Sequence, residues 1–425
     1  MSKYTPALQR DPLLVTTLRA DTGLQMTDYY FLFTFFMVSF WAVDPMGWHL
    51  ELIPVLKRIP TVFLVMNFAF ILVSRMLFRA RSRYVSLRSA GHDFRFLLVF
   101  AVMVMGGSLY AKYRNHIDET FLTMGVYVLL TPLSYWYVRN SDQPFRLLRA
   151  MLLILLGVAL FAAVRQGIQF RQLEVFHNRE HLVYPLLVVP LFVWRSVGLK
   201  FLAFAVAAAV AVAANKITSF MLALGVFAYL LLMVIRVRFV AIKDGLTRVT
   251  WLMGVLTALV VGGAIMAYLF VYFEKYMPSG NTGYRMHMYG IAWGKFLSSP
   301  VWGNLFTKSA VEHFDLFEVA MSTQDLPTHS DPLDVLANGG LIAFFCWMVS
   351  LGGVLWRALR DVGWTIEKQP VMRQWIFHTV FLICAMGFVV CMFNPIFNSP
   401  NLSAAYWLML GCLAALPAVF REARG

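Results

Sequence analysis

Long apolar runs constrain this chain more than any other feature of its sequence. Runs of about 17 to 25 apolar residues can cross a bilayer as helices, and about twelve such segments occur here. They are centred on 28–43, 60–78, 95–111, 119–138, 147–164, 182–194, 198–214, 217–235, 251–273, 338–356, 376–393 and 402–420. The sixth segment is short, and the seventh and eighth are separated only around Asn215 and Lys216. A count of eleven or twelve spans therefore stays open at this stage.

The composition supports a protein embedded in a membrane. The chain is 60% hydrophobic and only 14% charged, whereas soluble proteins are about 25% charged. With a mean hydropathy of +0.68, a soluble core of this size could not hide all the apolar surface. We predict an all-α fold, a polytopic integral membrane helical bundle of about 12 transmembrane helices. Residues 1–425 are expected to form a single integral membrane domain.

The net charge of +14 follows the predicted topology. Lys and Arg in short loops stay on the cytoplasmic side of a membrane, and one predicted loop holds a dense basic run. This run contains Arg75, Arg79, Arg81, Arg83, Arg88 and Arg95. We interpret it as a topology determinant that touches anionic membrane lipids, and not as a site for nucleic acid. The pattern predicts both termini in the cytoplasm and a large outer loop at residues 274–337.

A polar island from Lys275 to Gly340 interrupts the apolar segments and contains two features of chemical interest. The first is an apolar stripe at helical spacing, from which we predict a helix over 283–297 along the outer surface. Ser298-Ser299-Pro300 should end it. Arg285 stands at its start, where a guanidinium fork could bind the phosphate oxygens of a lipid pyrophosphate. The alternative is an arginine that extends to lipid headgroups. The stripe consists of Met286, Tyr289, Trp293 and Phe296.

The second feature is His329, which precedes a predicted helix start. We expect Asp331 to cap that helix, with Pro332 in its first turn, and the helix to run through Gly339-Gly340 into the membrane. Histidine can remove a proton from a sugar hydroxyl as a general base. A lone histidine in a loop is more often structural, and other histidines compete for the role. These are His177, His181, His287 and His313.

Further cations are expected on the same outer side. Lys216 interrupts a long apolar run, so it should face a ligand, a partner or water, or else mark a tight turn. The segment 165–181 holds the densest outer basic cluster, which either binds an anionic substrate or is a solvated loop. The candidate substrate-binding residues of this cluster are Arg165, Arg171, His177 and Arg179. The outer carboxylates lack the spacing of metal ligands, so we predict no metal and no cofactor.

Together these motifs resemble a known family. Arg285 is followed by Met-x-Met-Tyr-x-x-Ala-Trp293, then Ser299-Pro300 and a nearby glycine, and finally by His329-Ser-Asp-Pro-Leu-x-x-Leu-x-x-Gly-Gly340. This order is similar to the large periplasmic loop of the O-antigen ligase and polymerase superfamily. The resemblance covers roughly residues 160–420. In the commoner form of the motif, asparagine follows the histidine, whereas Ser330 does so here.

The resemblance implies a glycosyltransferase at the periplasmic face of the bacterial inner membrane. Such enzymes move a glycan from undecaprenyl pyrophosphate to an acceptor hydroxyl, here one of lipid A-core, without a metal or nucleotide sugar. Arg285 then binds the departing pyrophosphate and His329 activates the acceptor. A second family arginine corresponds to Lys216, unless an arginine of the 165–179 cluster replaces it. Tyr284 and Trp293 are candidate contacts to the substrate.

Two alternatives remain at this stage. A polymerase would share the donor but use another lipid-linked glycan as acceptor, and the sequence does not separate it from a ligase. A lipid-glycan flippase or transporter would place ionisable residues or broken helices near the middle of the membrane. The apolar segments here are nearly free of charge, which favours an enzyme. If the transfer is a single displacement, it should invert the configuration of the sugar.

Overall fold

The structure is a helical bundle throughout its described part. The computed structural model describes residues 24–46, 59–77, 94–114, 121–170, 179–193, 280–307, 330–363, 365–394, 396–397 and 399–423, and scattered helical positions between 199 and 233. All regular secondary structure in these ranges is helical. The α-helices are α1 (Met26–Val43), α2 (Ile59–Leu77), α3 (Arg95–Tyr113), α4 (Leu122–Tyr127), α5 (Leu130–Asn140), α6 (Pro144–Phe170), α7 (Glu180–Val193), α8 (Gly280–Ser298), α9 (Asp331–Ala358), α10 (Val371–Val390) and α11 (Pro400–Glu422).

Six of these helices, α1, α3, α6, α9, α10 and α11, are long and apolar enough to cross a membrane. The predicted all-α polytopic membrane fold is therefore confirmed. Two further predicted segments correspond to α2 and α7, whereas segment 119–138 is divided into α4 and α5 by a turn at Val128 and Leu129. Segment 251–273 and most of segments 198–214 and 217–235 lie outside the described residues, so the predicted count of spans stays a prediction.

Helix α11 lies at the centre of the bundle. It packs against α1, α5, α9 and α10, and most of its side chains are buried. Small residues allow these close contacts, as is usual where helices pack in membranes. At Gly411 an added Cβ would overlap the Oγ of Ser134 and the carbonyl oxygen of Thr131 on α5. The Thr131 hydroxyl also donates a hydrogen bond of 3.0 Å to the Trp407 carbonyl.

Contacts between helix ends define two opposite ends of the bundle. At the first, which we name the Glu422 end, Arg139 of α5 forms an ion pair of 2.8 Å with Glu422 of α11. The Gln25 side chain contacts Asp142 there, so the beginning of α1 and the close of α11 share one end. This agrees with both termini being on one side of the membrane. Which side they face is a separate prediction.

At the second, which we name the Asp331 end, α1 finishes and α7 begins. Arg179, directly before α7, donates a hydrogen bond of 2.8 Å from Nε to the Ala42 carbonyl in the last turn of α1. His181 lies against Gly387 near the close of α10. Asp331, the first residue of α9, accepts hydrogen bonds from the segment between α10 and α11. The helix ends on the outer side of the predicted topology therefore meet here.

Close packing of α11 on α5 predicts the effect of Gly411→Ala. The added methyl group would overlap the α5 backbone, so we expect a loss of about 1–3 kcal/mol in the free energy of unfolding. Thermal unfolding of the purified protein in detergent measures this. Gly157→Ala on α6 is the control, since nothing lies within 4 Å of its added Cβ. Equal unfolding midpoints for the two variants would contradict the proposed packing.

Candidate functional site

Helix α8 forms the first part of the candidate site. It spans Gly280–Ser298, which confirms the predicted helix and its end before Pro300. Its buried face differs from the predicted stripe, because Met288 and Ala292 are buried, whereas Trp293 is 49% exposed. The helix therefore packs against the bundle through Met288 and Ala292 and presents Trp293 outwards. This suits an aromatic side chain at a membrane interface.

The second part is the turn segment, residues 299–307, which follows α8. Gly303 has a φ of +58°, and an added Cβ there would overlap the backbone of Asn338 and Gly339. Phe306 is fully buried, with its ring centroid 5.2 Å from that of Phe121. The segment therefore inserts into the bundle and does not lie over it as a loose loop.

The third part is a break in α9 at Gly340. The backbone of Gly340 has φ +62° and ψ −167°, a conformation that is almost restricted to glycine. Beyond the break, the Leu341 N–H donates to the Pro300 carbonyl at 2.9 Å and the Ile342 N–H donates to the Val301 carbonyl at 3.3 Å. The predicted helix does run through Gly339-Gly340, but it is interrupted at Gly340. The turn segment supplies acceptors for backbone groups that a regular helix would satisfy internally.

Asn338, two residues before the break at Gly340, is held by the same turn segment. The Asn338 carbonyl accepts a hydrogen bond of 3.1 Å from the Phe306 N–H. The side-chain amide of Asn304 donates to the Asn338 side-chain oxygen at 3.0 Å, and the Asn338 amide donates to the Asp334 carbonyl at 2.9 Å. Both sides of the break are therefore bonded to the turn segment. In an apolar environment, this satisfaction of freed backbone groups is what permits a broken helix.

Asp331 fixes the beginning of α9 by a contact that differs from the predicted one. The N-cap position is Ser330, one residue earlier than expected, and Asp331 is the first helical residue. The fully buried Asp331 carboxylate accepts hydrogen bonds from the N–H groups of Ile396 and Phe397, at 2.7 and 2.9 Å. The Asp331 N–H donates to the Cys391 carbonyl at 3.0 Å. The expected cap was wrong because the carboxylate binds the segment between α10 and α11.

Two cations of the predicted basic cluster lie near the close of α1. Arg179 is half-buried and bonds the Ala42 carbonyl, and Arg165 of α6 contacts the sulfur of Met46. Beside them, Glu180 and His181 are fully buried at the start of α7. Both belong to the segment 165–181, which was predicted either to bind an anionic substrate or to form a solvated loop, so their burial is decided by the tertiary structure. It brings ionisable groups to the Asp331 end.

The remaining predicted site residues are only partly covered by the structure. Lys216 and His329 lie outside the described residues, as do Arg171 and His177. Tyr284 and Arg285 belong to α8, but only their helical backbone is described. Helix α8 packs against α9. The helix that carries Arg285 is thus held against the helix that begins two residues after His329.

Sequence reasoning missed the contacts between the turn segment and α9. It noted Pro300 to Gly303 and Gly339-Gly340 as motifs but did not join them. Glycines in two separate polar stretches were the available signal, since paired glycines permit close approach of two backbones. Asn304 and Asn338 carried no local signal of their partnership. Across the described ranges, no group of three or more His, Cys, Asp or Glu side chains could hold a metal ion, which leaves the prediction of metal-independent chemistry untested.

The part of the chain that contains this candidate site matches a known protein family. Residues 202–348 match a family model described as Wzy_C, O-antigen ligase. The matched range contains α8, the turn segment and the break in α9, and supports the resemblance found in the sequence. No curated protein matches the chain.

The break in α9 predicts that Gly340→Ala destabilises the protein. Alanine would be strained at this backbone conformation and would overlap the Val301 carbonyl, so we expect a loss of roughly 2–5 kcal/mol. Thermal unfolding and protease cleavage within residues 299–307 measure the effect. Gly352→Ala, in the same helix, has nothing within 4 Å of its added Cβ and should leave both properties unchanged. A Gly340 variant as stable as this control would show that the break is dispensable.

Proposed function

We propose that this chain, a member of the O-antigen ligase-like superfamily, transfers a glycan from undecaprenyl pyrophosphate to a hydroxyl of lipid A-core or a related surface acceptor. The family implies a membrane glycosyltransferase of the ligase or polymerase type. The donor, the acceptor and the direction of transfer are our proposal. The matched residues 202–348 include all three residues that carry it, Lys216, Arg285 and His329.

The observation that best supports the proposal is the attachment of α8 to α9. Helix α8 carries Arg285, and the turn segment that follows it is hydrogen-bonded to both sides of the break in α9. Ser330, directly after His329, is buried, and Asp331 is anchored to the segment between α10 and α11. The two motifs are therefore connected through one hydrogen-bonded unit. Such rigid support is what a catalytic pair requires.

The proposed chemistry follows from the two side chains. Negative charge grows on the pyrophosphate as it leaves the anomeric carbon, and a fixed guanidinium near low-dielectric lipid stabilises that charge. We assign this role to Arg285, with Lys216 and the cluster of Arg165, Arg171, His177 and Arg179 as further cations for the donor. His329 removes the proton from the acceptor hydroxyl on the opposite face of the sugar. Such a single displacement inverts the configuration.

We place the site at the periplasmic face of the bacterial inner membrane, with residues 274–337 as its large loop. In this arrangement the Asp331 end faces the periplasm and the Glu422 end faces the cytoplasm. Basic side chains at the Glu422 end support the orientation by the positive-inside rule. They include Arg139, Arg146, Arg149, Arg357, Arg360, Arg373 and Arg421. Tyr284 and the exposed Trp293 are proposed to contact glycan or lipid beside Arg285.

Deletion of the gene distinguishes a ligase from a polymerase. If the chain is a ligase, lipid-linked polymer should accumulate and the surface acceptor should remain free of it. Single lipid-linked repeat units would accumulate instead if the chain is a polymerase. Mass spectrometry of extracted lipid-linked glycans measures both. Normal glycans on both carriers would argue against either activity.

Substitution of the two proposed catalytic residues tests the site. Arg285→Ala should slow glycan transfer by purified protein by about 10²- to 10³-fold, as for loss of a charge-stabilising donor. His329→Ala should slow it by about 10²- to 10⁴-fold, as for loss of a general base. Arg285→Lys should recover part of the rate, because it keeps the charge but not the bidentate geometry. Initial rates with lipid-linked donor and no ion gradient provide the measurement.

Matched controls separate these roles from general effects. Lys295→Ala removes a cation from the same helix as Arg285 and should keep the wild-type rate. His313→Ala and His287→Ala remove competing histidines and should also keep it. Unchanged transfer after both Arg285→Ala and His329→Ala would eliminate the site assignment. Transfer that required a gradient would indicate a transporter.

A further inference from the structure

A cavity at the Glu422 end is not used by the proposed reaction. It has a volume of about 150 Å³ and lies between α3, α5, α9 and α11. Its apolar part is lined by Phe94, Tyr135, Val354 and Ala418. Its polar part consists of Arg357, Asp361 and Arg421. The cavity is therefore apolar on one side and charged on the other. It lies where α3 begins and where α9 and α11 end.

The charges around the cavity leave an excess of positive charge. The Asp361 carboxylate accepts a hydrogen bond of 2.6 Å from Nε of Arg360, which does not line the cavity. Arg357 donates from Nε to the carbonyl of Gly353 in its own helix, at 3.2 Å. Within the described ranges, neither Arg357 nor Arg421 forms an ion pair within 4.0 Å, although both interact electrostatically with Asp361. Three arginines therefore share one carboxylate, and two of them, both exposed, line the cavity.

An exposed apolar stripe lies on another face of α9. Leu341, Phe345, Val349 and Trp356 recur at helical spacing and are exposed, with Phe345 at 58%. Phe345 also meets Phe96 of α3 edge to face, with ring centroids 6.1 Å apart. Trp356 stands directly before Arg357, and an aromatic ring in this position suits the boundary between acyl chains and headgroups. The stripe ends at Trp356, next to Arg357, so Arg357 lies where the lipid-facing surface of α9 ends.

We propose that this cavity binds the phosphate headgroup of one anionic phospholipid, held by Arg357 and Arg421. Guanidinium forks match phosphate oxygens in geometry, and basic pockets between membrane helices bind such headgroups. The acyl chains lie in the surrounding membrane, beside the apolar residues that line the cavity. The break at Gly340 lies near the beginning of α9, and Arg357 lies at its end. The bound lipid therefore stabilises α9 at the end opposite the candidate active site.

Lipid retention by purified protein tests the site. Native mass spectrometry in mixed micelles compares bound phosphatidylglycerol with bound phosphatidylcholine, and thermal unfolding is followed in the same mixtures. The double variant Arg357→Gln with Arg421→Gln should bind phosphatidylglycerol roughly 30-fold more weakly, since each arginine near an anionic headgroup strengthens binding about fivefold. Stabilisation by phosphatidylglycerol should fall in parallel. Phosphatidylcholine should act equally on both proteins.

Two control variants distinguish a specific lipid-binding site from nonspecific electrostatic attraction of anionic lipid to the protein surface. Arg146→Gln with Arg149→Gln removes the same charge from exposed positions on α6 at the same end and should keep full binding. Ala418→Phe fills the cavity without changing its charge and should reduce binding as the arginine variant does, which keeps the test decisive if that variant fails to fold.

Three results would overturn the proposal. Equal losses in the two double variants would show surface attraction alone. Equal binding of the two lipids by wild-type protein would exclude an anionic site. Displacement of phosphatidylglycerol by inorganic phosphate, with equal stabilisation, would assign the cavity to free phosphate.

Discussion

Backbone hydrogen bonds between the turn segment and α9 are the constraint on which the candidate site depends. A helix broken inside an apolar bundle frees N–H and C=O groups that have no water to bind. Here the carbonyls of Pro300 and Val301 accept from residues beyond Gly340, and the Phe306 N–H donates to Asn338 before it. The break and the turn segment are therefore stable only together. Neither could form in the absence of the other without leaving polar groups buried and unpaired.

This mutual dependence explains how a polar loop can be placed precisely on a membrane protein. Helix α8 ends where the turn segment begins, so its position is set by hydrogen bonds and not only by lipid contact. Asp331 performs a similar task at the beginning of α9 by accepting the N–H groups of Ile396 and Phe397. Two bonded attachments thus support one region. The rest of the bundle, centred on α11, provides the packed surface beneath it.

The local parts of this arrangement could be predicted from the sequence. The end of α8 was expected because serine and proline stop a helix at that point, and the beginning of α9 was expected to within one residue because proline favours a first turn. The face that α8 buries was not. Met288 and Ala292 pack inwards while Trp293 is exposed, because the contact of α8 with α9 selects the buried face, and the spacing of large apolar residues does not. The burial of His181 likewise depends on its packing against Gly387 in the distant helix α10.

By itself, the sequence determined that this is an all-α membrane protein, where most of its apolar helices lie, and which family it resembles, because hydrophobic length and short motifs are local properties of a chain. The tertiary structure alone decided that α9 is broken at Gly340, that Asp331 binds another segment, and that Asn304 pairs with Asn338. Each of these depends on a donor and an acceptor from distant parts of the chain. No local pattern records such a pairing, because the same glycines, asparagines and aspartates are also common in turns and caps.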